Sequence, residues 1–410
     1  MKNLVILGGG TAGTMMSAKL RRKLDREQWR ITLVDRDDLH IYQPGLLFVP
    51  FGVYRSDEIV KSRARYVPPG VDLRFGDIER IEPDTNKVHM KDGAVLDYDF
   101  LVVATGSRIV PEETEGLLGS GWQKNVFDFY TLDGASKLFR ALDRFEGGRL
   151  VLNVVEMPIK CPVAPLEFLF LADWFFTERR MRDKVEIVYA TPLDGAFTKP
   201  KASEMLGGLL QERGINVEPM FAAGEVDGER SVLKSWDDRE LPFDMLVTIP
   251  THMGAEAIET SDLGDELAFM PTDPNTLQAK AAPNIFVLGD ATDLPTSKAG
   301  SVAHFQGEVL EENVLRAIDG RDLCPDFDGH ANCFIETGFG KAVLIDFNYE
   351  TEPLPGRFPL PGVGPMRLLE ESEMNHWGKM AFRWIYWNVL LKGGEMPFIG
   401  AQMSRAGKWS

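Results

Sequence analysis

The stretch NLVILGGGTAG, residues 3–13, decides the fold. Asn3–Leu7 is a nearly unbroken apolar run, as in a strand buried on both faces of a parallel sheet. Gly8, Gly10 and Gly13 follow in the spacing G-x-G-x-x-G. A helix is expected over Thr14–Leu24 and a strand over Arg30–Val34, with Asp35 at its end. Strand, glycine turn, helix, strand and terminal acid are the full frame of a dinucleotide-binding turn. In such a turn the backbone around Gly8, Gly10, Thr11, Ala12 and Gly13 closes on a pyrophosphate at the helix N-terminus, and Asp35 takes a ribose hydroxyl.

Working outward, the chain has 410 residues, which predicts two domains or more. Its formal net charge of −17 argues against nucleic acid and against purely electrostatic docking on an anionic membrane. The three cysteines, Cys161, Cys324 and Cys333, are too few for a disulfide scaffold and lack the CxxC spacing of a zinc site. No cleavable signal is expected before the first strand, and no apolar run reaches the ~20 residues of a membrane-spanning helix.

A second α/β unit is expected after residue 110: strand Leu150–Val155, helix Pro165–Arg180, strand Val185–Tyr189, helix Ala202–Arg213, and strands near Val217–Phe221, Ser231–Trp236 and Met245–Ile249. Its first turn lies in GRLVLNVVEMPIKCPVAPLEFL, residues 148–169. A pyrophosphate loop needs glycine there, yet none occurs between Gly148 and Gly195. Cys161 stands in that turn instead, among Pro158, Pro162 and Pro165. A phosphate site has been exchanged for a thiol site, which argues against a nicotinamide substrate.

Two further segments, DFLVVATGS (residues 99–107) and NIFVLGDATD (284–293), resemble signatures of the glutathione-reductase-like flavoproteins. The resemblance implies FAD, with Ala104, Thr105 and Gly106 near its phosphates and Asp290, after Gly289, on a ribityl hydroxyl. Asp290 also suits a helix cap before Ala291. Arg36, Gln43, Ile78, Lys298, Ala299 and Gly300 complete the expected cofactor contacts. The expected fold is α/β, with two Rossmann-like dinucleotide-binding domains in tandem, glutathione reductase-like, and a C-terminal amphipathic membrane-binding helical segment. The FAD domain is split over residues 1–110 and 283–340; residues 111–282 form the second unit and 341–410 the quinone- and membrane-binding region.

Over nearly its whole length the chain resembles the sulfide:quinone oxidoreductases. The residues that carry the likeness are the FAD motifs, Cys161 with Glu167, FDGHANC (327–333), GFGKAVLIDF (338–347) and the tail Trp377–Leu391. The resemblance implies oxidation of sulfide to polysulfide or elemental sulfur, with reduction of a membrane quinone. It pairs Cys161 with Cys333 across the flavin. Sulfide, a soft nucleophile, would attack a disulfide sulfur, leave a persulfide on one cysteine and free the other as a thiolate. A locally lowered thiol pKa is expected, aided by Lys160. Glu167 would move protons or simply stabilise the first turn of its helix. Phe339, Lys341, Phe347 and Tyr349 are quinone-pocket candidates or core.

The chain departs from the family pattern twice. KNVFDFY (124–130) has no third cysteine, so FAD is expected to be non-covalent, and DGAFT (194–198) has no histidine. Thr351–Pro365 reads as a rigid loop. In Met366–Leu391, Trp377, Met380, Trp384, Trp387 and Leu391 recur at helical spacing beside Lys379, Arg383 and Lys392. That pattern suits a monotopic helix at a bilayer surface, or one docked on the protein body. Met396–Ser410 would cover a quinone entrance or stay mobile. A homo-oligomer is expected. The alternatives are the flavin subunit of a flavocytochrome c sulfide dehydrogenase, a type II NADH:quinone dehydrogenase-like flavoenzyme, and a non-catalytic sulfur carrier or sensor.

Overall fold

The computed structural model describes residues 1–396 and 399–409. Two five-stranded parallel sheets carry the chain. The first has the order Ile285–Val287, Phe100–Val103, Lys2–Leu7, Trp29–Asp35, Val71–Phe75. Its edge strand Ile285–Val287 comes from far down the chain and pairs with Phe100–Val103. Leu4, Ile6 and Leu7 are fully buried, as a strand covered on both faces requires. The second sheet has the order Val126–Phe127, Met245–Ile249, Gly148–Val154, Val185–Ala190, Asn216–Glu218. Helices Ala164–Glu178 and Pro200–Glu212 connect its strands. Both sheets are Rossmann-like, so a ligand belongs at their carboxyl ends.

A third, four-stranded sheet runs Ala331–Gly338, Lys341–Phe347, Gly364–Leu368, Gly356–Leu360. It corrects the reading of the tail. Within the supposed loop Thr351–Pro365, Gly356 and Phe358 are buried in alternation with half-exposed Arg357 and Pro359, and the segment is a strand. Pro359 is tolerated because that strand is an edge. The following Met366–Leu368 is strand as well. The C-terminal helix begins only at Glu373, where the Ser372 hydroxyl accepts the Asn375 N–H at 3.1 Å, and runs to Asn388. Within the tail, Pro397, Phe398 and Ser410 lie outside the described residues.

The tryptophan stripe is also split. Trp377 and Trp384, seven positions apart, are 64% and 65% exposed, while Trp387 and Leu391 are buried in the body. Ten positions along a helix of 3.6 residues per turn is about a fifth of a turn short of alignment, enough to move Trp387 from the outer face to the inner one. There it packs among His40, Tyr42 and Tyr66.

Candidate active site

One cavity of about 760 Å³ opens where the carboxyl ends of both sheets meet the third sheet and the C-terminal helix. Gly8, Gly10, Thr11 and Ala12 line it. A Cβ on Gly8 would stand 2.3 Å from the Ala104 carbonyl oxygen, so the Gly8 turn and the Ala104-Thr105-Gly106 turn approach as only glycine permits. Gly13 lies beneath the turn rather than on the wall; its Cβ would strike the Gly8 carbonyl oxygen. Asp35 lines the cavity, and its carboxylate holds the turn: Oδ2 accepts the Gly9 N–H at 2.6 Å and pairs with Arg63 at 3.0 Å. Arg63, buried and in no motif, was not legible in the sequence.

Gln43, Ala104, Thr105, Gly106, Gly289, Asp290, Lys298, Ala299 and Gly300 all line the same cavity. Arg36 and Ile78 do not. The Arg36 guanidinium turns outward to Asp77 at 2.8 Å. Ile78 packs on the separate apolar cluster around Ile81, Val88 and Met90.

The residues present fit FAD. Helices Thr11–Lys23 and Gly300–Ile318 both begin at the cavity with no side-chain cap and no acid in the first turn, leaving amides for an anion. Thr105 Oγ1 is buried without a partner. Asp290 caps nothing: its half-buried carboxylate takes only a 3.5 Å contact from Ser107 and lines the cavity, free for a hydroxyl. Burial holds that carboxyl above its usual range, against the opposing Lys298 and Lys160 charges.

Cys161 and Cys333 line this cavity too, both as free thiols. Cys161 sits with φ +54° in the turn before helix Ala164–Glu178. Its N–H donates to the Lys298 carbonyl at 2.7 Å, and its carbonyl accepts the Ala164 N–H at 2.9 Å. The thiol turn of the second unit is thus joined to the cofactor loop of the first. Cys333 comes from strand Ala331–Gly338, anchored by Ser301 Oγ donating to the Asn332 carbonyl at 2.7 Å. Cys324 lies apart, on a shallow depression with Glu308 and Glu312.

The electrostatics contradict the expected activated thiol. Burial pushes Cys161 up to about 12, with Glu167 adding to the rise and Lys379 opposing it. Burial raises Cys333 further, and the charge of Cys161 adds to that. Lys160 does not rescue the thiolate; its half-buried ammonium lies over the Tyr130 ring, and desolvation lowers its own pKa. Glu167 is fully buried, and Oε1 accepts the Glu336 N–H at 2.7 Å and the Lys379 ammonium. Burial raises the Glu167 carboxyl, against the facing Lys379. For Lys379 burial acts downward, but Glu167, Cys161 and Glu336 outweigh it and its pKa is raised. A carboxylate and an ammonium therefore stand beside the thiols.

The four quinone-pocket candidates do not reach the cavity. Phe339 is exposed under the Arg213 guanidinium, and Lys341 is exposed. Phe347 is core, with Lys199 over its ring, and Tyr349 packs on Phe327. The cavity is instead extended by Phe358, Met366, Lys379, Phe382 and Ile385 from the hairpin and C-terminal helix.

Residues 2–155 match the model of the pyridine nucleotide-disulphide oxidoreductase family. Mitochondrial sulfide:quinone oxidoreductases from Mus musculus and Dictyostelium discoideum are 26% and 29% identical, each over 95% of this chain and 86% of the relative. The chain is a relative of the sulfide:quinone oxidoreductases. It is an FAD-dependent oxidoreductase by the same kinship. The solved sulfide:quinone oxidoreductase of Aquifex aeolicus shares the fold, with a TM-score of 0.80 at 19% identity over 96% of this chain and 92% of that one.

Proposed function

We propose that the protein oxidises sulfide to polysulfide or elemental sulfur and reduces a quinone by two electrons, using Cys161 and Cys333 as a redox pair. One observation carries the reading: two cysteines from different units line the cavity that the flavin-binding turns also line, and one of them, Cys161, stands where a nicotinamide site would need glycine. FAD, when bound, supplies the two-electron relay between sulfur and quinone. The chain's own groups do the rest. In the oxidised form a Cys161–Cys333 disulfide accepts sulfide, giving a persulfide on one cysteine and a thiol on the other. Both thiols are held well above their usual range, so the released sulfur needs a proton partner, and the Glu167–Lys379 pair stands nearest to that task.

The quinone is drawn from a membrane. Among the described residues no helix is long and apolar enough to cross one. The exposed Trp377, Trp384, Leu360 and Val363 of the helix and hairpin beside the cavity support docking from one side. Anaerobic stopped-flow tests the function. Sulfide is expected to bleach the flavin and a short-chain quinone to restore it, with NADH doing neither. Cys161→Ser and Cys333→Ser are each expected to abolish bleaching; bleaching at the original rate in either variant would refute the pair.

A further inference from the structure

Four titratable side chains run from the cavity to the surface. Glu167 and Lys379 form the inner end and both line the cavity. Glu167 Oε2 is buried with no protein partner, so this carboxylate has an acceptor to spare beside the cavity. The Lys379 ammonium donates to Glu167 and, at 3.0 Å, to the Phe334 carbonyl. Glu336 and His376 form the outer end. His376 Nδ1 lies 3.0 and 2.9 Å from the two Glu336 carboxylate oxygens. The Glu336 side chain is 3% exposed, and that of His376 is 22% exposed, next to the open Trp377.

The pairs are held in line by the elements that carry them. Glu336 lies on the Cys333 strand, and its own N–H is bonded to Glu167. His376 and Lys379 lie three apart on the C-terminal helix and so share a face. Packing alone does not call for this arrangement. Apolar side chains of similar volume would fill the space without the desolvation cost of two buried carboxylates and an ammonium.

The reaction proposed above has an unmet proton demand. Written with hydrosulfide, HS⁻ + Q + H⁺ → S⁰ + QH2: two electrons leave sulfur, two electrons and two protons enter the quinone, and hydrosulfide supplies only one of those protons. One proton per turnover must come from solvent into a buried cavity.

Resting on that reading, we propose that His376 and Glu336 are the uptake branch that carries this proton from the surface to the Lys379–Glu167 pair and on to the quinone. His376 takes a proton at its outer nitrogen and releases one from Nδ1 to Glu336. No direct bond joins the Glu336 and Lys379 side chains, which act on each other through space, so a bridging water passes the proton from the Glu336 carboxyl to Lys379 after that ammonium has given one to a quinone oxygen. His376 and Glu336 touch neither sulfur nor quinone and act through Lys379.

The two half-reactions of the full-length holoenzyme, followed separately by stopped-flow, test the branch. In His376→Ala and Glu336→Gln, sulfide should bleach the flavin within about twofold of the unaltered rate. Reoxidation by a short-chain quinone should slow by roughly tenfold or more, short of the ~100-fold cost of losing a direct donor. Its solvent deuterium isotope effect should rise. Added imidazole should restore His376→Ala, and Glu336→Asp should retain most of the rate; a purely structural role would give neither rescue. Unaltered reoxidation in both variants, or equal slowing of both half-reactions without rescue, would overturn the branch. Failure of sulfide to bleach the unaltered protein would instead overturn the functional reading, and this branch with it.

Discussion

Cys161 occupies a backbone conformation that costs a residue with a Cβ roughly 1–2 kcal/mol, at φ +54°. Glycine would adopt it freely, and glycine is what a phosphate-binding turn would place nearby. The thiol is kept there by the bonds from its N–H to Lys298 and from Ala164 to its carbonyl. Its identity and importance were legible because it stood where a glycine was due. Its electrostatics were not: Lys160 is adjacent in sequence, but burial and Glu167 dominate, and both raise the pKa. The sign has a measurable consequence. Thiolate at Cys161 becomes abundant only as pH approaches about 12. In the reduced protein, iodoacetamide labelling of Cys161, followed by peptide mass spectrometry, should keep rising through pH 10. A plateau near pH 8 would show a stabilised thiolate and contradict this environment.

The C-terminal helix Glu373–Asn388 performs two jobs on opposite faces. Its outer face exposes Trp377 and Trp384. Its inner face closes on the cofactor domain: the Tyr386 hydroxyl bonds Thr11 Oγ1 at 2.8 Å and His40 Nε2 at 2.7 Å. Thr11 belongs to the glycine turn, so the helix is fastened to the part of the chain proposed to hold the FAD pyrophosphate. Tyr386→Phe should leave the half-buried Thr11 hydroxyl and the buried His40 Nε2 without this partner. The expected cost is about 1–3 kcal/mol, seen as a lower unfolding midpoint and faster FAD release on dilution. Unchanged midpoint and FAD retention would show that the contact is dispensable. Helical spacing in the sequence revealed this helix, but not which tryptophans face inward. That depends on the Ser372 cap, which starts the helix later than its apolar pattern does, and on the aromatic pocket of His40, Tyr42 and Tyr66, supplied by residues more than 300 positions earlier.

At the scale of the whole molecule, the central strands of both parallel sheets could be read from local strand–turn–helix patterns, but the edge strands Val71–Phe75 and Val126–Phe127 were not read, and Val232–Ser235 joins a separate antiparallel sheet. The third sheet could not be read, since proline-rich Gly356–Leu360 hides its alternation. The same limit applied to the site. Glycine turns and cysteines announce themselves, whereas Arg63, Lys379, Glu336 and His376 acquire roles only when distant segments meet. The structure also changes how the membrane surface should be tested. Removing the tail would strip buried Lys408 from buried Asp346 and Tyr386 from Thr11, so the body would suffer with it. Trp377→Ser combined with Trp384→Ser alters only exposed positions. It should weaken binding to lipid vesicles severalfold while leaving sulfide bleaching intact; undiminished vesicle binding would remove this helix face from the membrane account. The central claim is that two sulfur atoms from separate units form one redox pair. Non-reducing peptide mapping of quinone-oxidised protein, blocked with iodoacetamide, tests it most directly. The account predicts one fragment joining the Cys161 and Cys333 peptides, lost when sulfide is added anaerobically. Recovery of both peptides singly alkylated from the oxidised protein would contradict it.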